Sequence, residues 1–362
     1  MIVSRLVEGT RGRSPLVRLG LLVIGLALAF GLPWLIYPPV ALDITAWALF
    51  AVALDLLLGY TGLLSFGHAA FWGSSAYATG IIAIETGVPF YVAVLAGAVV
   101  AAVIALPIAL LSVRRTGIYF AMVTLAFAQL IYFVANQWRS LTGGENGLQG
   151  IPREAFGLDL TDTFYFYYAA LPLTLLGFLC AWRVVHSPFG RVMVAIRENP
   201  ARARALGYPV DRYKVQVFVI SAFLAGVAGG VYAVGHGFAS LQEVYWTTSG
   251  KVVVMNILGG MGTLWGPVLG AGIIVVLEDY LATAGIDAVG TVTGAIFVVT
   301  VLLFRRGIWG TARHLLRSRG GRGGRRGRRG RRGRRDGDGT DGAVPDPEPL
   351  TQEPSPTPAP QS

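Results

Sequence analysis

Runs of about 20 apolar residues recur along most of this 362-residue chain, and they decide what it can fold into. The clearest, FYVAVLAGAVVAAVIALPIALLS at 90–112, contains no charged residue. In lipid a helix satisfies its backbone polar groups within its own segment, so a chain built from such runs is all-α and polytopic. Candidate spans lie at 19–37, 40–58, 68–84, 90–112, 118–137, 164–185, 215–236, 247–261, 264–283 and 288–304, about ten transmembrane helices. Only 14% of the residues are charged and 54% are hydrophobic, which places the whole chain in the membrane class.

Basic residues orient these spans. Arg5, Arg11, Arg13 and Arg18 precede the first, Arg114 and Arg115 follow the fourth, and Arg305 and Arg306 follow the last. The loop 186–214 after the sixth holds Arg191, Arg197, Arg202, Arg204, Arg212 and Lys214 against Glu198 and Asp211. With ten crossings all four sites fall on one side, so the positive-inside bias puts both termini in the cytoplasm. The weakest span, TTSGKVVVMNILGGM at 247–261, is short and carries Lys251 and Asn256. A re-entrant segment there would send the Arg-rich tail outside, so a short or broken crossing is the better reading. Ala27-Leu28-Ala29 imitates a signal-peptidase site, but the apolar run continues to Tyr37 and reads as an uncleaved anchor.

The net charge of +10 is a property of the tail. Residues 1–304 carry 16 basic and 14 acidic groups, 305–335 carry 14 Arg and no acid, and 336–362 carry six acids. The organisation that follows is a cytoplasmic segment 1–18, a transmembrane domain 19–304, an Arg/Gly-rich cytoplasmic tail 305–335 and an acidic Pro-rich disordered tail 336–362. A basic segment just inside a membrane gains about 1 kcal/mol per charge from anionic lipid, which favours lipid over nucleic acid as the tail's partner. The single cysteine, Cys180, excludes an internal disulfide framework and reads as a packed thiol in an apolar run.

The loop 186–214 is the longest basic interruption, and it carries helix caps. Ser187-Pro188 starts one short helix; Asn199-Pro200 starts another, Ala201 to Leu206 give about two turns, and Gly207 supplies a left-handed end. Two readings fit: a basic interfacial loop, or a docking helix whose Ala-rich face enters a groove on a partner while Arg202 and Arg204 meet an acidic rim.

Three blocks in order decide between them: GYTGLLSFGHAAFWGSSAY at 59–77, SPFGR…AIRENPARARALG…YK at 187–214, and ILGGMGTLWGPVLGA at 257–271. Together, over residues 40–304, they resemble the LivM-like membrane subunit of branched-chain amino acid ABC importers. The resemblance implies a permease of the type II-like architecture in a bacterial inner or plasma membrane. It makes Arg197, Glu198, Asn199, Pro200, Ala201, Ala205, Leu206 and Gly207 the positions that couple to an ATPase. It also implies a second related permease subunit, two cytoplasmic ATPase subunits and an extracytoplasmic amino-acid-binding protein. The Gly-Arg and Pro-rich tail departs from the family pattern.

The two glycine-rich blocks join spans at the inner face and bring polar groups to membrane depth. Gly62, Ser65, Gly67, His68 and Ser74 in the first, and Gly259, Gly260, Gly262 and Gly266 in the second, either pack small residues closely or line a translocation path. The second block loosely echoes the first, a weak sign of an internal repeat. His68 has no second histidine or close carboxylate in sequence to complete a proton relay, and reads as a hydrogen-bonded structural residue. Asp43 and Asp55 lie near the ends of their span, where snorkelling or pairing satisfies both. The outward loop 138–163 is a polar connector and, in an importer, a landing surface for a binding protein.

Ser249-Gly250-Lys251 lacks the upstream glycine of a phosphate-binding loop. The chain is expected to hold no cofactor or metal and to perform no catalysis, with ATP and Mg bound by partner subunits. A urea or short-amide permease subunit is the alternative within the same superfamily, and a secondary transporter is the alternative of another class.

Overall fold

The computed structural model describes residues 27–155 and 157–284, with Gly25, Gly294 and Ala295. The expected segments 1–18, 305–335 and 336–362, and the span at 288–304 apart from those two residues, lie outside the described part.

The described chain is a helical bundle. The helices are α1 (Pro38–Leu58), α2 (His68–Thr86), α3 (Phe90–Ser112), α4 (Ile118–Gln137), the short α5 (Arg139–Thr142), α6 (Thr163–His186), α7 (Pro188–Glu198), α8 (Pro200–Ala205), α9 (Val210–His236), the short α10 (Leu241–Val244), α11 (Trp246–Gly259) and α12 (Trp265–Thr283). Among the described residues six are long and apolar enough to cross a membrane: α1, α3, α4, α6, α9 and α12. Helix α2 has the length, but its Ser, Thr, His and Gly residues make it less apolar. Helix α11 has 14 residues, about 21 Å, well short of a hydrocarbon core of about 30 Å. The first expected span appears as a helical segment at 27–35, ended before Pro38 starts α1.

Helices α1 and α9 form the centre. Over their apolar windows 89% and 78% of residues are buried, against 22% for α4 at the periphery. Helix α9 packs on α1, α2 and α3, and α12 packs on α1 and α11. Small residues permit this: FLAGVAGG in α9 lets the backbones approach, and a Cβ added at Gly226 would lie 2.8 Å from Cα of Ala98. The large side chains fill around them, with Trp72 between Trp47 and Tyr232 at ring separations of 5.1 and 5.2 Å. Gly226→Ala is expected to lower the melting temperature of the detergent-solubilised protein, since overpacking costs about 1–3 kcal/mol. Gly250→Ala, with nothing within 4 Å, is the control. Equal melting temperatures would show that α9 has room to spare.

Three sequence expectations change here. Cys180 is exposed on α6 rather than packed, because the apolar run around it turns one face away from the bundle. The seventh expected span, α9, starts at Val210, not 215, because Val210 and Lys214 are buried and their turn continues the helix into the basic loop. The segment 138–163 is more than a connector. Strand β1 (Leu148–Gln149) pairs antiparallel with β4 (Phe238–Ala239), and β2 (Glu154–Ala155) pairs with β3 (Leu158–Asp159). Arg153 ties this piece down by donating to the carbonyls of Val234 (3.2 Å) and Thr161 (3.0 Å). It therefore rests on the end of α9 opposite the basic loop.

Candidate functional site

The basic loop folds as two capped helices. Ser187 accepts from the amide of Gly190 (3.3 Å), Asn199 accepts from the amide of Arg202 (2.9 Å), and Pro188 and Pro200 occupy the first turns. Gly207 ends α8 at φ 86°, a conformation a side chain disfavours. Ile196, Ala203 and Val210 make a small core of their own beneath the loop. That core fixes which face looks away: Glu198, Asn199, Ala201, Ala205, Leu206 and Gly207 are exposed, and Leu206 is 70% exposed although apolar.

From the other face of α7, Arg197 reaches into the bundle. Its guanidinium donates to the carbonyl of Gly59, and its stem lies against Gly62. There the two glycine-rich junctions touch. Asp55 is completely buried and accepts from the amide of Gly262 at 2.8 Å. Gly262 has φ 74°, and that turn brings its amide to the carboxylate. The other Asp55 oxygen is buried without a hydrogen-bond partner, close enough to Arg197 to feel its charge. This corrects the reading of Asp55 as a snorkelling or simply paired residue. It is an internal link between α1 and the α11–α12 turn, which Thr263 completes by donating to the carbonyl of Gly260 (2.8 Å), while its oxygen accepts from the amide of Gly266 (3.1 Å).

The remaining polar candidates of the first block lie inside the bundle. His68 is fully buried, with Nδ1 3.1 Å from Ser65 Oγ and Nε2 2.7 Å from Ser221 Oγ. Ser221 donates to the carbonyl of Ala53, so its oxygen accepts from Nε2–H and Ser65 donates to Nδ1. That network occupies both ring nitrogens. Gly67 is buried beside it, its amide bonding Ser65, and Ser74 is half-buried and bonds the Phe71 carbonyl. Gly259, Gly260 and Gly266 are buried in the second junction.

A different set of residues, none of them a site candidate from the sequence, surrounds a cavity of about 580 Å³ in the half of the bundle away from the loop. Its walls include Trp47, Tyr232, Glu243, Lys251, Ile274 and Glu278. Lys251 pairs with Glu278, and its ammonium sits 4.1 Å from the centre of the Trp47 ring. Glu243, in the connection between α9 and α11, has one oxygen near the Ser240 hydroxyl (3.3 Å) and the other buried without a partner. Burial pushes its carboxyl up to about 7, partly offset by Ser240 and His236. A smaller recess of about 260 Å³ shares Trp47, Tyr232, Lys251 and Glu278 and adds Asp43 and Asp279. Asp43 is 2.7 Å from His236. None of the glycine-block candidates lines either space.

The family model described as "Branched-chain amino acid transport system / permease component" matches residues 39–301, which span both junctions, the basic loop and the cavity. The chain belongs to this family. It is 28% identical over 303 residues to a high-affinity branched-chain amino acid transport permease protein LivM of Salmonella typhimurium, covering 76% of this chain and 70% of that one. The LivM protein of Escherichia coli is 29% identical over 259 residues, 65% and 61% of the two chains. The autoinducer 2 import permease protein LsrC of Klebsiella pneumoniae is 29% identical over 182 residues, about half of each chain. No solved structure matches. The permease is thus a polytopic helical membrane protein of an ABC importer family, and not an enzyme of that system.

Proposed function

We propose that this permease carries branched-chain amino acids inward across a bacterial plasma membrane, driven by ATP hydrolysis on separate subunits docked at α7–α8. The observation that carries the coupling role is the reach of Arg197. One side of the loop offers exposed Leu206, Ala201 and Ala205, while the other holds Gly59 at the point where the two junctions meet. A partner that moves α7 therefore moves the inner ends of α1, α11 and α12 without intervening flexible chain. The positive-inside bias of the loops puts α7–α8 and both termini in the cytoplasm. The Arg-rich tail beyond residue 304 adds contact with anionic lipid. The assembly comprises a second related permease, two ATPases and an extracytoplasmic binding protein that rests on the 138–163 segment.

Deleting the chain is expected to abolish high-affinity uptake of labelled leucine and leave urea uptake unchanged, measured side by side in whole cells. Unchanged leucine uptake would sink the substrate assignment. Urea uptake lost instead would favour the short-amide permease. Collapse of leucine uptake by a proton ionophore at constant ATP would point to a secondary carrier.

A further inference from the structure

The charged cavity lies outside every block that suggested function in the sequence, and its chemistry is specific. Two opposite charges, Lys251 and Glu278, meet where each side chain is about one quarter exposed, so both face the open space. An ion pair partly withdrawn from water gains little net stability over apolar side chains, so its presence on the wall of a cavity calls for a use. The surrounding groups are uneven: Glu243, Asp43 and Asp279 add acids, and Trp47, Val254 and Ile274 supply apolar wall. A volume of about 580 Å³ lies within the roughly 300–1,000 Å³ of small-molecule sites.

We propose that this cavity is a transit subsite for an α-amino acid zwitterion, whose carboxylate takes Lys251 as partner, whose ammonium takes Glu278, and whose apolar side chain lies against Trp47, Val254 and Ile274. The ligand class rests on the amino-acid reading above; the placement rests on the cavity alone. The exchange is balanced in charge. When the Lys251–Glu278 pair opens around a zwitterion, each group trades one opposite charge for another and none is left unpaired. A molecule with only a carboxylate, or only an amine, leaves Glu278 or Lys251 without a partner where most of the side chain is withdrawn from water, a penalty the zwitterion avoids. Glu243, with one oxygen buried and unpartnered, adds a second acid to the wall beside Glu278. The orphaned acceptor and the ring beneath Lys251 are features a purely structural salt bridge does not require.

The experiment uses the whole importer assembly, purified in mild detergent without its binding protein, and measures binding of labelled leucine at millimolar concentrations. Unlabelled leucine is expected to compete, and 4-methylpentanoate and 3-methylbutylamine are not. Lys251→Met and Glu278→Gln are each expected to weaken binding by at least roughly tenfold. The exchanged variant, Lys251→Glu with Glu278→Lys, restores the ion pair and the assembly but is expected to remain defective, because Trp47, Glu243 and the apolar wall stay where they were. Wild-type affinity in the exchanged variant would show a structural ion pair only and overturn the proposal. So would equal competition by the single-charge analogues, or no leucine binding by the wild-type assembly. Whole-cell leucine uptake separates the two levels of inference. Uptake independent of this chain overturns the function proposed above, whereas uptake that needs the chain but is unaffected by these variants overturns only the subsite.

Discussion

Leu206→Asp is expected to detach the ATPase subunits while leaving the permease inserted and folded. Leu206 is apolar, 70% exposed and at the end of α8, so a charge there disturbs nothing inside the chain. Buried against an apolar groove, the same carboxylate costs several kcal/mol, and loss of an apolar anchor typically removes about 2–4 kcal/mol of binding, a factor of about 30 to 1,000. Gly207→Pro acts through the backbone instead. Proline fixes φ near −65°, which cannot reproduce the 86° of Gly207, and it removes the amide that donates to the Arg204 carbonyl at 2.9 Å. Both variants should lose ATPase co-purification and leucine uptake with membrane levels unchanged. Co-purification at wild-type level in both would mean that α8 is an interfacial loop and not a docking element.

Arg197→Met is expected to produce a different failure: ATPase subunits stay bound, ATP is hydrolysed, and uptake falls by at least about tenfold because the link from loop to junction is gone. The exposed docking face is untouched by this change. Inside, the substitution removes the donor to Gly59 and takes away the cation whose charge reaches the buried Asp55, so the melting temperature is expected to fall. Asp55→Asn removes the charge while keeping an oxygen for the amide of Gly262. The double variant should therefore recover stability, read as the melting temperature in detergent, but not transport. Additive losses in stability would show that Arg197 and Asp55 are not coupled. Tight coupling of uptake to hydrolysis in Arg197→Met would remove the proposed transmission route.

Much of this molecule is legible one segment at a time. The caps of α7 and α8 could be placed from Ser187-Pro188, Asn199-Pro200 and Gly207 because a cap is a contract between residues three or four apart. The long helices follow from apolar length alone. Helix α11 was recognisable as a weak span from its shortness and from Lys251, but nothing local explains why a lysine is tolerated there. Its partner Glu278 is on the next helix and the ring beneath it, Trp47, is on α1. Asp55 shows the same limit: its amide partner is Gly262, 207 residues away, and a carboxylate near a span end looks like one that reaches for water. The segment 138–163 looked polar and turn-rich, and only pairing with β4 at the end of α9 gave it order.

The sequence by itself determined that the chain is helical and membrane-spanning, that its basic loop carries two capped helices, and that three blocks mark its family, since length, hydropathy and caps are local properties. Tertiary structure alone decided that Arg197 and Asp55 join the loop to both glycine-rich junctions, that His68 is enclosed by Ser65 and Ser221, and that the charges gather around Trp47. Those outcomes depend on which helix faces which. That choice is made by close packing of small residues along α9 against α1, α2 and α3, a cooperative fit that no single segment contains.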